Sequence, residues 1–164
     1  MNKIILKNGL FGSIIVSALL VFVTMYMRAN PEKEVSMLIG FTVMTLAFFF
    51  LFWGIKQQRE ANNGLISFGK AFMTGFWISL IISTIYVLVW LIILYNFFPN
   101  FAEHYTDMAI QKASPDEVAK VTEEMNSFKE MYKNPIWVIL FTYMEILPLG
   151  IVFSLVSALI LKKK

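Results

Sequence analysis

One carboxyl stands inside an otherwise uncharged run of the chain: Glu145, within the stretch from Asn134 to Leu161. A charged group near the centre of a bilayer costs about 3 kcal/mol on insertion scales, so such an acid is expected to face a bundle interior and find polar partners. Glu145 follows Pro135 by ten residues, which is about 15 Å along a helix. The same depth on the other apolar runs reaches Ser17, Thr45, Ser83, Thr84 and Tyr86. Pro148, three residues on, removes the bond normally made to the Met144 carbonyl and is expected to bend the helix. An acid beside a broken backbone bond is a transporter-like arrangement, suited to relaying a proton. The plainer reading is a protonated acid that glues helices together, since desolvation favours the neutral form and no basic residue shares its depth.

A second constellation is Ser67, Gly69 and Lys70 at the start of the third apolar run. A helix N-terminus with a lysine beside it can hold an anion or a lipid headgroup. The blander alternative is a lysine that snorkels to the interface. His104, the one histidine, stands between Glu103 and Asp107 in a polar segment and reads as a surface residue. The chain has no Cys, no spacing of metal ligands, no nucleophile–His–acid set and no phosphate loop. The expectation is therefore no catalytic residue, no metal, no cofactor and no enzyme.

These residues are carried on long apolar elements. Of 164 residues, 58% are hydrophobic and 15% charged, where a soluble domain has about 45–50% and 25%. Four runs are long enough for a hydrocarbon core of about 30 Å, at residues 8–27, 35–55, 71–98 and 135–161. None alternates polar and apolar residues, so strands are a poor alternative. The first run is too long for the apolar part of a secretory signal and lacks a small-residue cleavage site. The reading is all-α: one domain over 1–164, an integral membrane four-helix bundle.

Charge bias orients it. One side carries Lys3, Lys7, Lys56, Arg59, Lys70, Lys162, Lys163 and Lys164 against Glu60 alone, while the other has more acids than bases. Cytoplasmic loops are the Lys- and Arg-rich ones, so both termini are expected inside. The inner lysines, including Lys162, Lys163 and Lys164, then point to anionic lipid headgroups as partners rather than nucleic acid. A second copy or another membrane protein is a compatible partner.

Residues 99–134 form the one sizeable polar segment, between the third and fourth runs. Ser114-Pro115-Asp116-Glu117 is a helix start. After it Val118, Val121, Met125, Phe128 and Tyr132 recur at three and four, one apolar stripe. A shorter helix over 99–111 carries Phe101, Tyr105 and Met108 on its apolar side. Together they predict an extracytoplasmic helical hairpin, either a packing lid or a ligand grip. Turns are expected at Asn30-Pro31 and at Asn62-Asn63-Gly64. Small residues at four-residue spacing mark close helix contacts: Gly9, Ser13 and Ser17; Ala71, Gly75, Ser79 and Ser83; Gly150, Ser154 and Ala158. They concentrate in the inner half, which leaves the bulkier outer half as the place for a cavity.

The stretch Gly64-Leu65-Ile66-Ser67-Phe68-Gly69-Lys70-Ala71-Phe72 resembles one family element. Tyr132-Lys133-Asn134-Pro135, Glu145-x-x-Pro148-x-Gly150, Ser154-Leu155 and Ser157-Ala158-Leu159-Ile160-Leu161-Lys162-Lys163 resemble another. Over essentially its whole length the chain is similar to small four-span membrane proteins of the domain-of-unknown-function family 4199. The resemblance implies a multi-span protein of a bacterial inner membrane and carries no established activity or ligand. The leading expectation is a non-enzymatic protein that binds a lipid, small ligand or partner through its outer half. The alternative is a proton-coupled or small-solute transporter that uses Glu145.

Overall fold

Local chemistry sets the helix ends. The structure of the protein, a computed structural model, describes residues 2–30 and 37–163, and the side chains of all of these but 37–41 and 43. Asn2 caps α1 (Lys3–Ala29), its side chain accepting from the Ile4 N–H at 3.0 Å. Ser67 caps α3 (Phe68–Phe97) and Asn134 caps α6 (Pro135–Leu161), with Pro135 at the first helical position. Each side-chain oxygen meets an N–H that the helix itself leaves unpaired. Between them lie α2 (Met37–Glu60), α4 (Phe101–Lys112) and α5 (Val118–Tyr132).

The protein is all-α: six helices and no strand among the described residues. Three helices, α1, α3 and α6, are long and apolar enough to cross a membrane. The expected second run, 35–55, begins outside the described residues, as does most of the expected turn around Asn30-Pro31; α2 occupies the rest. The turn at Asn62-Asn63-Gly64 forms as the sequence predicts, with Asn63 and Gly64 at φ 55 and 81. Helix α5 starts later than expected. Ser114 and Pro115 lie in a preceding turn, where the Ser114 hydroxyl donates to the Glu117 carboxylate at 2.8 Å instead of capping the helix.

Helix α3 is central and touches α1, α2 and α6; α2 also packs on α1 and α6. Val16, Phe48, Leu51, Ile55, Ile78, Ile82 and Ile146 between them are fully buried. The small residues mark where backbones meet. A Cβ added to Gly75 would stand 3.0 Å from the Ser154 Cβ, and one added to Gly150 would overlap the Ser79 hydroxyl and lie 2.8 Å from the Phe48 ring. Without side chains there, α3 and α6 approach closely enough for dispersion to hold them where lipid offers no hydrophobic drive.

The helix ends near the α2–α3 connection are joined by polar contacts. Asn8, buried, donates to Gln57 at 2.9 Å and to its own helix at the Ile4 carbonyl. Ile66 and Lys163 exchange two backbone bonds of 2.9 Å, which ties the end of α6 to the α2–α3 connection.

Candidate functional site

The apolar stripe of α5 and that of α4 meet each other and the first turns of α6. Tyr105 packs on Phe128 at 5.5 Å between ring centroids, and Thr106 donates to the Met125 carbonyl at 3.4 Å. Lys129 bridges to Glu103 at 3.2 Å across the pair. Below them the rings continue without interruption. Phe128 lies 4.6 Å from Tyr132, Tyr132 6.4 Å from Phe141, and Phe141 5.9 Å from Trp137. Phe101 stands edge-on to Trp90 of α3 at 4.9 Å, and the Trp90 indole N–H donates to the Tyr132 hydroxyl at 3.4 Å. Such offset and edge-on pairs match the negative faces and positive edges of aromatic rings. The result is an aromatic canopy joining α4 and α5 to α3 and α6.

A recess of about 220 Å³ opens beside the canopy, between the end of α3 and the α4–α5 pair. Leu94, Tyr95, Pro99 and Ala102 give it apolar walls, while Glu103, Lys129 and Lys133 line its rim and Tyr132 closes one side. Tyr132 is the residue common to recess and canopy. Burial pushes its phenol above the usual 10.0, the Trp90 hydrogen bond pulls it back, and the Glu145 carboxylate pushes it up again. That last effect places Glu145 within electrostatic reach of Tyr132.

The expected polar core around Glu145 is only partly assembled, and here the structure corrects the reading of the sequence. Ser83 is fully buried and Tyr86 nearly so, but Thr45, Glu145 and Pro148 are exposed on the outside of the helices. The reason is rotation. Helix α6 buries Val138, Thr142, Ile146, Gly150, Ser154 and Ala158, a row at four-residue spacing set by its contact with α3. Glu145 sits one residue off that row, about 100° around the helix. It falls instead on the face of Trp137 and Phe141, one turn below the canopy. Pro148 does not interrupt α6, which continues to Leu161. Thr84 bonds to Tyr143 at 2.8 Å and to its own helix at the Leu80 carbonyl, away from any shared polar centre. Ser17 is half-buried on α1, and its hydroxyl, like those of Ser79 and Ser83, finds no acceptor or donor among the described residues.

At the other end of α3 from the canopy, Ser67, Gly69 and Lys70 are exposed. The Ser67 oxygen accepts from the Lys70 backbone N–H at 3.4 Å, so it serves as the cap. The backbone pairing of Ile66 with Lys163 brings the end of the chain beside this segment, a juxtaposition that spacing in sequence does not reveal. Lys162 and Lys163 are both exposed, and Lys164 lies outside the described residues. Lys3 and Lys7 head a separate apolar groove of about 450 Å³ along Leu6, Leu10, Phe11 and Ile14 of α1.

Two contacts at the site have no counterpart in the sequence reading: the Trp90–Tyr132 bond and the Asn8–Gln57 bond. The first has a trace in sequence, since Tyr132 ends an amphipathic stripe. The second has none, because a lone Asn in an apolar run carries no mark of its partner.

The family model described as "Protein of unknown function (DUF4199)" matches residues 7–163. The chain belongs to this family. The match takes in the canopy and the recess, so both are parts of the DUF4199 unit rather than additions to it. No curated protein and no solved structure matches the chain.

Proposed function

We propose that this DUF4199 chain is a non-enzymatic, four-span membrane protein of a bacterial inner membrane. It has both termini in the cytoplasm, α4–α5 as an extracytoplasmic helical hairpin, and an amphiphile or small-ligand site in its outer half. The membrane reading rests on the outer surface of the helices. Phe22, Met144, Ile136 and Ile160 are each more than 60% exposed, and an apolar surface that wide marks a lipid boundary. Helix α2 completes the set of four, since it packs against α1, α3 and α6 alike.

The observation that carries the binding reading is the contrast between the two halves. The outer half holds the recess beside Tyr132, with apolar walls and a rim of both charges. The inner half is shut: Ser79 and Ser154 are fully buried against Gly150 and Gly75, and a single added Cβ would not fit between the helices. A site open outward and closed below suits a resident ligand. A transporter would need a polar path through that seam. At the inner face Lys3 and Lys7 suit the headgroup of an anionic lipid whose chain lies along Leu10 and Ile14.

Native mass spectrometry of the protein released from its own membrane tests the reading. Wild type is expected to carry a bound amphiphile. Ala102→Trp, which fills the recess, is expected to carry one amphiphile fewer while thermal stability is kept. Protein with no bound mass beyond detergent, or with the same bound mass in Ala102→Trp, overturns it.

A further inference from the structure

Glu145 combines three properties that rarely coexist. It lies about 15 Å along α6 from its outer end, its side chain is exposed on the flank of the helices, and among the described residues it makes neither an ion pair nor a hydrogen bond. It also shares a helix face with Phe141 and Trp137, whose rings stack, and Phe141 in turn stacks on Tyr132. An exposed carboxylate at that depth has lipid beside it, and an unpaired charge there is unfavourable. A proton can neutralise it, and so can a cation that arrives from the lipid side and takes the proton's place.

The surroundings narrow what that is. A divalent cation would need several oxygen ligands, and the neighbours are phenols and rings rather than further carboxylates. Those rings attract a cation of another kind: the negative faces of Tyr, Trp and Phe favour ammonium groups, most of all where water is excluded. A cation with an apolar tail can reach the flank directly from the bilayer. We propose that the α3–α6 flank below the canopy binds a lipophilic cation, an amine- or quaternary-ammonium-bearing amphiphile. Glu145 is its counter-charge, and Phe141 and Tyr132 form its aromatic wall. The inference rests on the membrane reading above, because only in lipid is the lone carboxylate driven to find such a partner. It does not require the recess, whose lining includes neither Glu145 nor Phe141.

The full chain in phosphatidylcholine nanodiscs, titrated with labelled dodecyltrimethylammonium against an empty-disc background, tests it. Dodecanol is the uncharged control. Wild type is expected to prefer the cation, and Glu145→Gln to weaken cation binding about tenfold while leaving dodecanol unchanged. Glu145→Asp should recover part of the loss. Phe141→Leu keeps the charge and removes a ring, and should also weaken the cation selectively. Ala102→Trp should leave cation binding intact, so a failed recess and a failed flank site give different results. Equal binding of cation and dodecanol by wild type, or unchanged cation binding by Glu145→Gln and Phe141→Leu, overturns the proposal.

Discussion

Gly150→Ala tests the close contact of α6 with α3. Two effects oppose each other. Alanine in place of glycine in a helix interior normally stabilises by about 0.5–1 kcal/mol, because less backbone freedom is lost on folding. Here the new methyl would overlap the Ser79 hydroxyl and stand 2.8 and 2.9 Å from two carbons of the buried Phe48 ring. Overpacking of that kind costs about 1–3 kcal/mol. Ser79 can turn its hydroxyl aside, but Phe48, fully buried and stacked on Phe153 at 5.7 Å, has nowhere to go. The steric term should win, for a net loss of about 1–2 kcal/mol. Gly69 supplies the matched control. It is exposed in the first turn of α3 with nothing within 4 Å of an added Cβ, so Gly69→Ala should be neutral or stabilising by up to about 1 kcal/mol. Unfolding in mixed micelles of increasing dodecyl sulfate, followed by circular dichroism, measures both. Phe48→Leu should cost less in the Gly150→Ala background than alone, which identifies the clash with the Phe48 ring as the source of the loss. A Gly150→Ala variant as stable as Gly69→Ala would refute the close packing of α3 on α6.

Three further outcomes are expected. Asn8→Ala removes a part-buried bond to Gln57 and leaves that amide oxygen short of a donor, so the same unfolding assay should show a loss of about 1–2 kcal/mol, and Asn8→Asp, which lacks the donor, should not restore it. Cysteines placed singly at Ser114 and at Lys163 in this Cys-free chain should be labelled by an impermeant reagent on intact cells at position 114 only; the reverse pattern overturns the orientation. Tyr132, whose phenol burial holds above 10.0, contributes stability that is complete below the unfolded pKa and is lost as pH rises through the raised one. Tryptophan emission should therefore report loosening of the canopy above about pH 10, and Tyr132→Phe should abolish that alkaline transition; an identical transition in Tyr132→Phe would remove Tyr132 as its cause.

Sequence alone determined the class of the molecule and most of its helices. Apolar runs too long and too uncharged for a soluble domain dictate helices, because a backbone in lipid must bond within its own segment. The cap at Ser67 follows from residue type, as does the turn at Asn63 and Gly64. The stripe from Val118 to Tyr132 was legible for the same reason: periodicity of 3.6 is a local property. Family membership, too, was readable from short segments spread along the chain. What sequence could not set is the rotation of each helix about its axis. Spacing places Glu145, Thr45 and Ser83 at one depth, but depth is not direction. Direction came from the seam in which Gly75 and Gly150 let α3 and α6 approach, and that seam turned Ser83 inward and Glu145 outward. Likewise Tyr132 and Trp90 stand 42 residues apart and meet only because α5 returns its last turn to α3. Contacts between elements depend on how whole surfaces fit, so the tertiary structure decides them.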